Sequence, residues 1–149
     1  MSELQVSVER VIAAPPAAIF AVVADAARHR EIDGSGSVQG VKGESEPLRA
    51  GAVFGMSMKK GVPYTTKNTV VEFEPDRLIG WRTEGLGGLV GGRVWRYELE
   101  PTDEGTRVRE TWDIRRDKQR FFLRRGSFPT STEKAMTATL QRLAAVVEA

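Results

Sequence analysis

At 149 residues, with no cysteine, one histidine and a formal charge of +2 from 22 basic and 20 acidic residues, the chain is sized for one domain spanning 1–149 and one core. Disulfides, thiolate nucleophiles, cysteine-bound metal sites and paired histidine ligands are excluded, so neither a metal nor a cofactor is expected. No apolar run reaches a membrane span, and Met1 to Arg10, with Glu3 and Glu9, lacks the basic-then-apolar order of a secretory signal, which predicts a cytoplasmic protein without integral membrane contact.

Leu4 to Ile12 alternates Leu4, Val6 and Val8 against Gln5, Ser7 and Glu9, the pattern of a half-buried strand. Pro15 and Pro16 suit the first turn of a helix, where a missing N–H costs nothing, and Ile19, Phe20 and Val23 then share a face. Asp25 can cap a second short helix over Ala26 to Ile32, and Asp33-Gly34-Ser35-Gly36-Ser37 is a turn. Val38 to Lys42 and Ala52 to Lys59 read as strands joined by the polar segment Gly43 to Gly51.

Thr66 to Glu74 places Thr69, Val71 and Phe73 on one side. After Glu74-Pro75-Asp76-Arg77, Leu78 to Glu84 turns Ile79 and Trp81 inward. Five glycines within Gly85 to Gly92 read as a mobile hairpin loop with no match to a phosphate-binding fingerprint. Arg93 to Glu100 aligns Trp95, Tyr97 and Leu99, and Thr106 to Ile114 aligns Val108, Glu110, Trp112 and Ile114. Consecutive strands without helices between them pair as an antiparallel meander.

Six basic residues fall between Arg115 and Arg125, interleaved with Phe121, Phe122 and Leu123 and opposed by Asp117 alone. They read as a solvated strand end and turn rather than an anion-binding or membrane-touching loop, and no nucleic-acid motif accompanies them, so no nucleic-acid partner is expected. The last helix, Ser131 to Ala149, opens on a capping box of Thr130 and Glu133 and carries Met136, Leu140, Leu143 and Val147 on its apolar face. The sheet's edge strands allow a homodimer as well as a monomer.

This β-α-α-β-block-α order resembles a known family. With Ala14-Pro15-Pro16 leading to Ile19-Phe20 and Val22-Val23-Ala24-Asp25, the Trp81 strand after Glu74-Pro75-Asp76-Arg77-Leu78, and the closing helix, nearly the whole chain is similar to the polyketide cyclase/dehydrase and lipid-transport group of the START-like, Bet v 1-like (SRPBCC) superfamily. The resemblance implies an α+β helix-grip fold, a curved antiparallel sheet of six or seven strands around the C-terminal helix, with a cavity for an apolar small molecule.

Phe54, Met56, Met58, Thr69, Trp81, Trp95, Tyr97 and Trp112, with Met136 and Leu140 of the helix, are the candidate ligand wall, and the same residues could equally be solid core. Glu110, set among apolar neighbours, is the candidate general acid or base, or else the buried partner of Arg82 or Arg93. Tyr64, Tyr97 and Ser57 are lesser candidates. His29 and Asp33, four residues apart, could pair on a helix face, but Arg28-His29-Arg30-Glu31 reads as solvated and Asp33 as a turn residue. Two functions follow: binding a lipid-, isoprenoid- or polyketide-like molecule, or an aromatase/cyclase or dehydratase reaction through Glu110.

Overall fold

The first strand, β1 (Gln5–Ile12), pairs with the last strand of the chain rather than the next one. In the computed structural model, which describes residues 4–42 and 46–148, it is followed by helix α1 (Pro16–Val23), a 3-10 turn (Ala26–Arg28), helix α2 (His29–Ile32) and strand β2 (Val38–Lys42). Glu3 and the 43–45 part of the expected linker lie outside the described residues. Strands β3 (Val53–Lys60), β4 (Val62–Glu74), β5 (Leu78–Gly85), β6 (Val90–Thr102) and β7 (Gly105–Asp113) then form a meander. Helices α3 (Arg120–Leu123) and α4 (Phe128–Glu148) close the chain.

Among the described residues the sheet has seven strands in the order β1-β7-β6-β5-β4-β3-β2, all pairs antiparallel. It curves around α4 as a helix-grip fold. Met136, Thr139, Leu140, Leu143 and Ala144 are the buried stripe of α4. Met136 packs with Val6, Trp112 and Ile114, while Leu140, Leu143 and Ala144 join Ile79, Tyr97, Leu99 and Val108 in the larger core. The expected apolar face of the last helix is therefore the face that meets the sheet.

Several elements differ from the sequence reading. Helix α4 starts at Phe128, so Pro129 occupies its first turn and Thr130 lies inside the helix instead of capping it. Proline is tolerated there because the first-turn N–H groups have no helical acceptor. The second helix divides into the 3-10 turn, begun by the Asp25 carboxylate accepting from the Ala27 N–H at 3.1 Å, and α2. Strand β4 begins at Val62, one residue after Gly61, whose φ of 81° lets the chain reverse at once.

The glycine run forms the expected hairpin between β5 and β6, with most of its length in regular elements. Leu86–Gly88 forms a 3-10 turn, and Gly91 and Gly92 lie in β6 with positive φ. A Cβ at Gly91 would sit 2.4 Å from the Thr83 carbonyl oxygen, and one at Gly92 2.8 Å from the Arg116 carbonyl oxygen. These glycines allow close packing of backbone on backbone.

The sheet's outer face carries an ionic row that no single strand pattern announces. The register shift between Val70 and Glu72 sets Glu72 opposite Gly80, whose missing side chain leaves space for the Glu72 carboxylate. Glu72 thereby reaches past β5 to Arg96, with bonds of 2.6 and 2.8 Å, and Arg96 also meets Asp113 at 3.3 Å. Arg115 closes on Asp113 at 2.7 Å, and this hydrogen bonding, against the opposing effect of burial, holds the Asp113 pKa at about 2.

Candidate functional site

Cross-strand register assembles the candidate side chains in rows. Trp81 pairs with Val70 and Trp95, Trp95 with Trp112, and Trp112 with Val6, making one inward row across β4, β5, β6, β7 and β1. The next row runs Phe73, Ile79, Tyr97, Glu110 and Val8. Strand β7 pairs without a break on both sides, so no bulge turns Glu110 outward.

Thr69 is not part of this wall. It pairs with Val53, which is 58% exposed, and with Arg82, whereas Asn68 pairs with the buried Phe54. The bulge at Val71 changes the parity of β4, so Val70 and Phe73 point inward while Thr69 and Val71 point outward. Simple alternation through Thr69, Val71 and Phe73 is therefore corrected.

His29 is the residue whose position the sequence conceals. Its expected solvated setting is corrected: it is buried, and its ring stacks on Trp81 at 4.9 Å between centroids with Phe54 edge-on at 5.8 Å. Nε2 lies 2.8 Å from the Val23 carbonyl oxygen, which can only accept, so Nε2 carries the proton. Burial lowers the His29 pKa against the Val23 hydrogen bond and the charges of Asp25 and Asp33, which raise it. The expected alternative of a His29–Asp33 pair gives way to a turn: the Asp33 carboxylate accepts from the Ser35 N–H and hydroxyl and the Val38 N–H.

From His29 the contacts continue inward. Trp81 stacks on Tyr97 with centroids 5.7 Å apart, and Tyr97 stands opposite Glu110 across the strands. Burial pushes the Glu110 pKa up to about 8, the nearby Tyr97 hydroxyl pulls it back, and the charge of Asp33 adds to the rise. Tyr97 is itself raised well above the usual phenol range, first by burial and then by Glu110. Oε1 of Glu110 is buried and has no hydrogen-bond partner among the described residues. The arginines considered as its neighbours are engaged elsewhere: Arg82 with Glu84 at 3.4 Å and Arg93 with Asp117 at 2.9 Å.

Phe54, Met56, Trp81, Tyr97, Trp112, Met136 and Leu140 are buried, and Met58 and Trp95 are half-buried. Two hollows reach this face at its margins. A groove of about 390 Å³ is lined by Gln39, Ser57, Met58, Lys59, Pro63, Tyr64 and Thr65, and a crevice of about 70 Å³ by Val8, Glu9, Arg10, Thr137 and Leu140. Of the lesser candidates, Ser57 and Tyr64 thus line the groove beside Met58, away from Glu110. Met58 continues the inward face of Phe54 and Met56, so the groove abuts the aromatic wall. Among the described residues no three His, Asp or Glu side chains gather as a metal site.

Comparison with known proteins agrees with this geometry. The family model described as polyketide cyclase/dehydrase and lipid transport matches residues 3–148. The uncharacterized protein Rv0088 of Mycobacterium tuberculosis is 37% identical over 139 residues, which are 89% of this chain and 59% of that protein. The chain thus spans about three fifths of the curated relative it matches. Protein CV1439 of Chromobacterium violaceum superposes with a TM-score of 0.74 at 16% identity, covering 99% of each chain. Protein NE0264 of Nitrosomonas europaea gives 0.75 at 15% identity, covering 99% of this chain and 96% of the other. These two likenesses concern the fold.

Proposed function

The chain belongs to the polyketide cyclase/dehydrase and lipid transport family, and on that premise we propose that it binds a small apolar molecule, lipid-, isoprenoid- or polyketide-like, between the sheet and α4. The observation that carries the reading is the unpartnered Oε1 of Glu110 within an aromatic wall. A buried polar atom without a partner costs about 1–3 kcal/mol. A ligand oxygen placed there removes that cost. With its pKa near 8, the carboxyl is mostly protonated at neutral pH and can donate to a carbonyl or accept from a hydroxyl.

The groove beside Met58 is the route of entry. Met56 and Met58 are flexible thioethers that can repack around an apolar guest. Trp81, Tyr97 and His29 supply flat surface for conjugated or ring-bearing molecules.

A second reading is favoured by the proton affinity of Glu110, which stands close to neutral pH. In this reading Glu110 hands a proton to a departing hydroxyl or an enolising carbonyl and recovers it from the adjacent carbon, as in dehydration or ring closure. Tyr97 fixes the carboxyl's orientation.

Native mass spectrometry of the purified protein, followed by organic extraction, tests the binding reading. An apolar adduct is expected, along with quenching of tryptophan emission by the fluorescent fatty acid cis-parinaric acid. Glu110→Gln is expected to weaken binding of an extracted hydroxyl- or carbonyl-bearing molecule about tenfold. A clean apo mass together with unchanged emission overturns the proposal. Turnover of the extracted molecule that is lost in Glu110→Gln establishes the enzymatic reading.

A further inference from the structure

The tip of the β5–β6 hairpin and the region from Arg116 to Phe128 form one surface. The Lys118 N–H donates to the Gly91 carbonyl at 2.8 Å, and the Gln119 amide oxygen accepts from the Gly91 N–H at 2.8 Å. Lys118 Nζ donates to the Gly88 carbonyl, and the Gln119 amide N–H to the Leu89 carbonyl at 3.4 Å. The two segments therefore present their side chains as a unit. Leu86 and Leu89 are each 74% exposed, and Phe121, Phe122 and Phe128 are also exposed. Leu86 holds a φ of 50°, in the left-handed region that disfavours a side chain, while projecting that side chain into solvent.

The surface is also strongly cationic. Arg116, Lys118 and Arg125 are exposed, and the Arg120 and Arg124 guanidinium groups lie 4.6 and 5.1 Å from the centre of the Phe121 ring. Asp117, the acid within the cluster, is fully buried and bonded to Arg93, so its charge is not displayed. No further acid follows until Glu133. Neither the groove beside Met58 nor the crevice beside Val8 is lined by this surface. Its apolar groups protrude rather than line a groove, and cations surround them. The segment expected as a solvated strand end and turn is exposed, and Arg120–Leu123 within it form helix α3.

We propose that this surface docks the protein onto an anionic lipid bilayer, with Phe121, Phe122, Leu86 and Leu89 entering the headgroup boundary and the arginines meeting lipid phosphates. Protruding aromatic and leucine side chains gain by leaving water at the acyl boundary, and basic residues gain from the negative surface potential. The contact is peripheral and reversible, and it is independent of what occupies the interior.

Sedimentation with phosphatidylcholine vesicles, with and without phosphatidylglycerol, tests the proposal. The protein is expected to pellet with the phosphatidylglycerol vesicles and to be released by added salt. Phe121→Ser with Phe122→Ser, and separately Arg116→Glu with Arg125→Glu, are each expected to weaken partition by about tenfold or more, with unchanged circular dichroism. Protein that stays in the supernatant overturns the idea. So does a phenylalanine variant that binds like wild type while the charge variant does not, an outcome that assigns the patch to acidic macromolecules in general. Leu89→Trp supplies a readout that needs no loss of binding: its emission is expected to shift to the blue on vesicles and to be quenched by brominated lipid, and an unmoved spectrum is equally fatal.

Discussion

Tyr97 and Glu110 stand opposite each other across β6 and β7, and their nearness moves two proton affinities in opposite directions. It lowers that of the carboxyl below the level burial alone would set, and it raises that of the phenol. The pair ties the interior of the sheet to solution pH.

Glu110 rises from an ordinary 4.5 to about 8. A carboxyl raised on folding favours the folded state fully below the unfolded pKa, and that stability is lost as pH climbs through the folded pKa. The wild type is therefore expected to lose on the order of 4 kcal/mol between about pH 4.5 and pH 8 relative to Glu110→Gln. Urea titrations of both proteins across that window check this, and parallel pH curves would rule it out.

Asp113 behaves in the opposite sense. Its pKa falls from 3.8 to about 2, so its contribution is present above the unfolded value and disappears as pH drops through the folded one. Acid unfolding of wild type against Asp113→Asn is expected to reveal about 2 kcal/mol that vanishes between about pH 4 and pH 2. An unchanged acid limb would remove Asp113 from the account.

Trp112 is almost wholly buried between Val6, Ile114 and Met136, whereas Trp95 is half-buried against both core clusters. Trp112→Ala is expected to cost about 3–5 kcal/mol, and Trp95→Ala clearly less. Denaturant midpoints decide the order, and an equal loss contradicts the difference in burial.

Gly34 touches α4 so closely that a Cβ would lie 2.3 Å from the Ala135 carbonyl oxygen and 2.6 Å from the Thr139 nitrogen. Its own N–H donates to the Thr139 hydroxyl at 2.9 Å. Gly34→Ala is expected to lower stability by about 2 kcal/mol or more, because backbone must move on both sides. A thermal midpoint within a degree or so of wild type contradicts the contact, since even 1 kcal/mol shifts a domain of this size by about 2–4 °C.

How much the sequence disclosed depended on how local the determinant was. Val38–Lys42 forms within the bounds its polar flanks suggest, and the stripe of Met136, Leu140 and Leu143 meets the sheet as helical spacing requires. Glu110 faces inward because β7 alternates without interruption. Thr69 does not, because the bulge at Val71 reverses parity and nothing in the residues of β4 alone marks it. His29 lies among charged neighbours, and only the packing of Trp81 and Phe54 from distant strands reveals its burial. The Glu72–Arg96–Asp113 row needs β4, β5, β6 and β7 in register. The vacancy at Gly80 could have hinted at it, since a glycine in mid-strand often marks a close approach.

The strand order carries a consequence for the way the chain is made. Gln5 and Asp113, partners in the finished sheet, are 108 residues apart, so β1 is made long before its partner strand and has no mate until the meander is complete. Until then Val6, Val8 and Ile12 must remain exposed or be shielded, and long-range pairing of this kind slows folding. Assembly can therefore finish only when β1 closes the sheet's far edge.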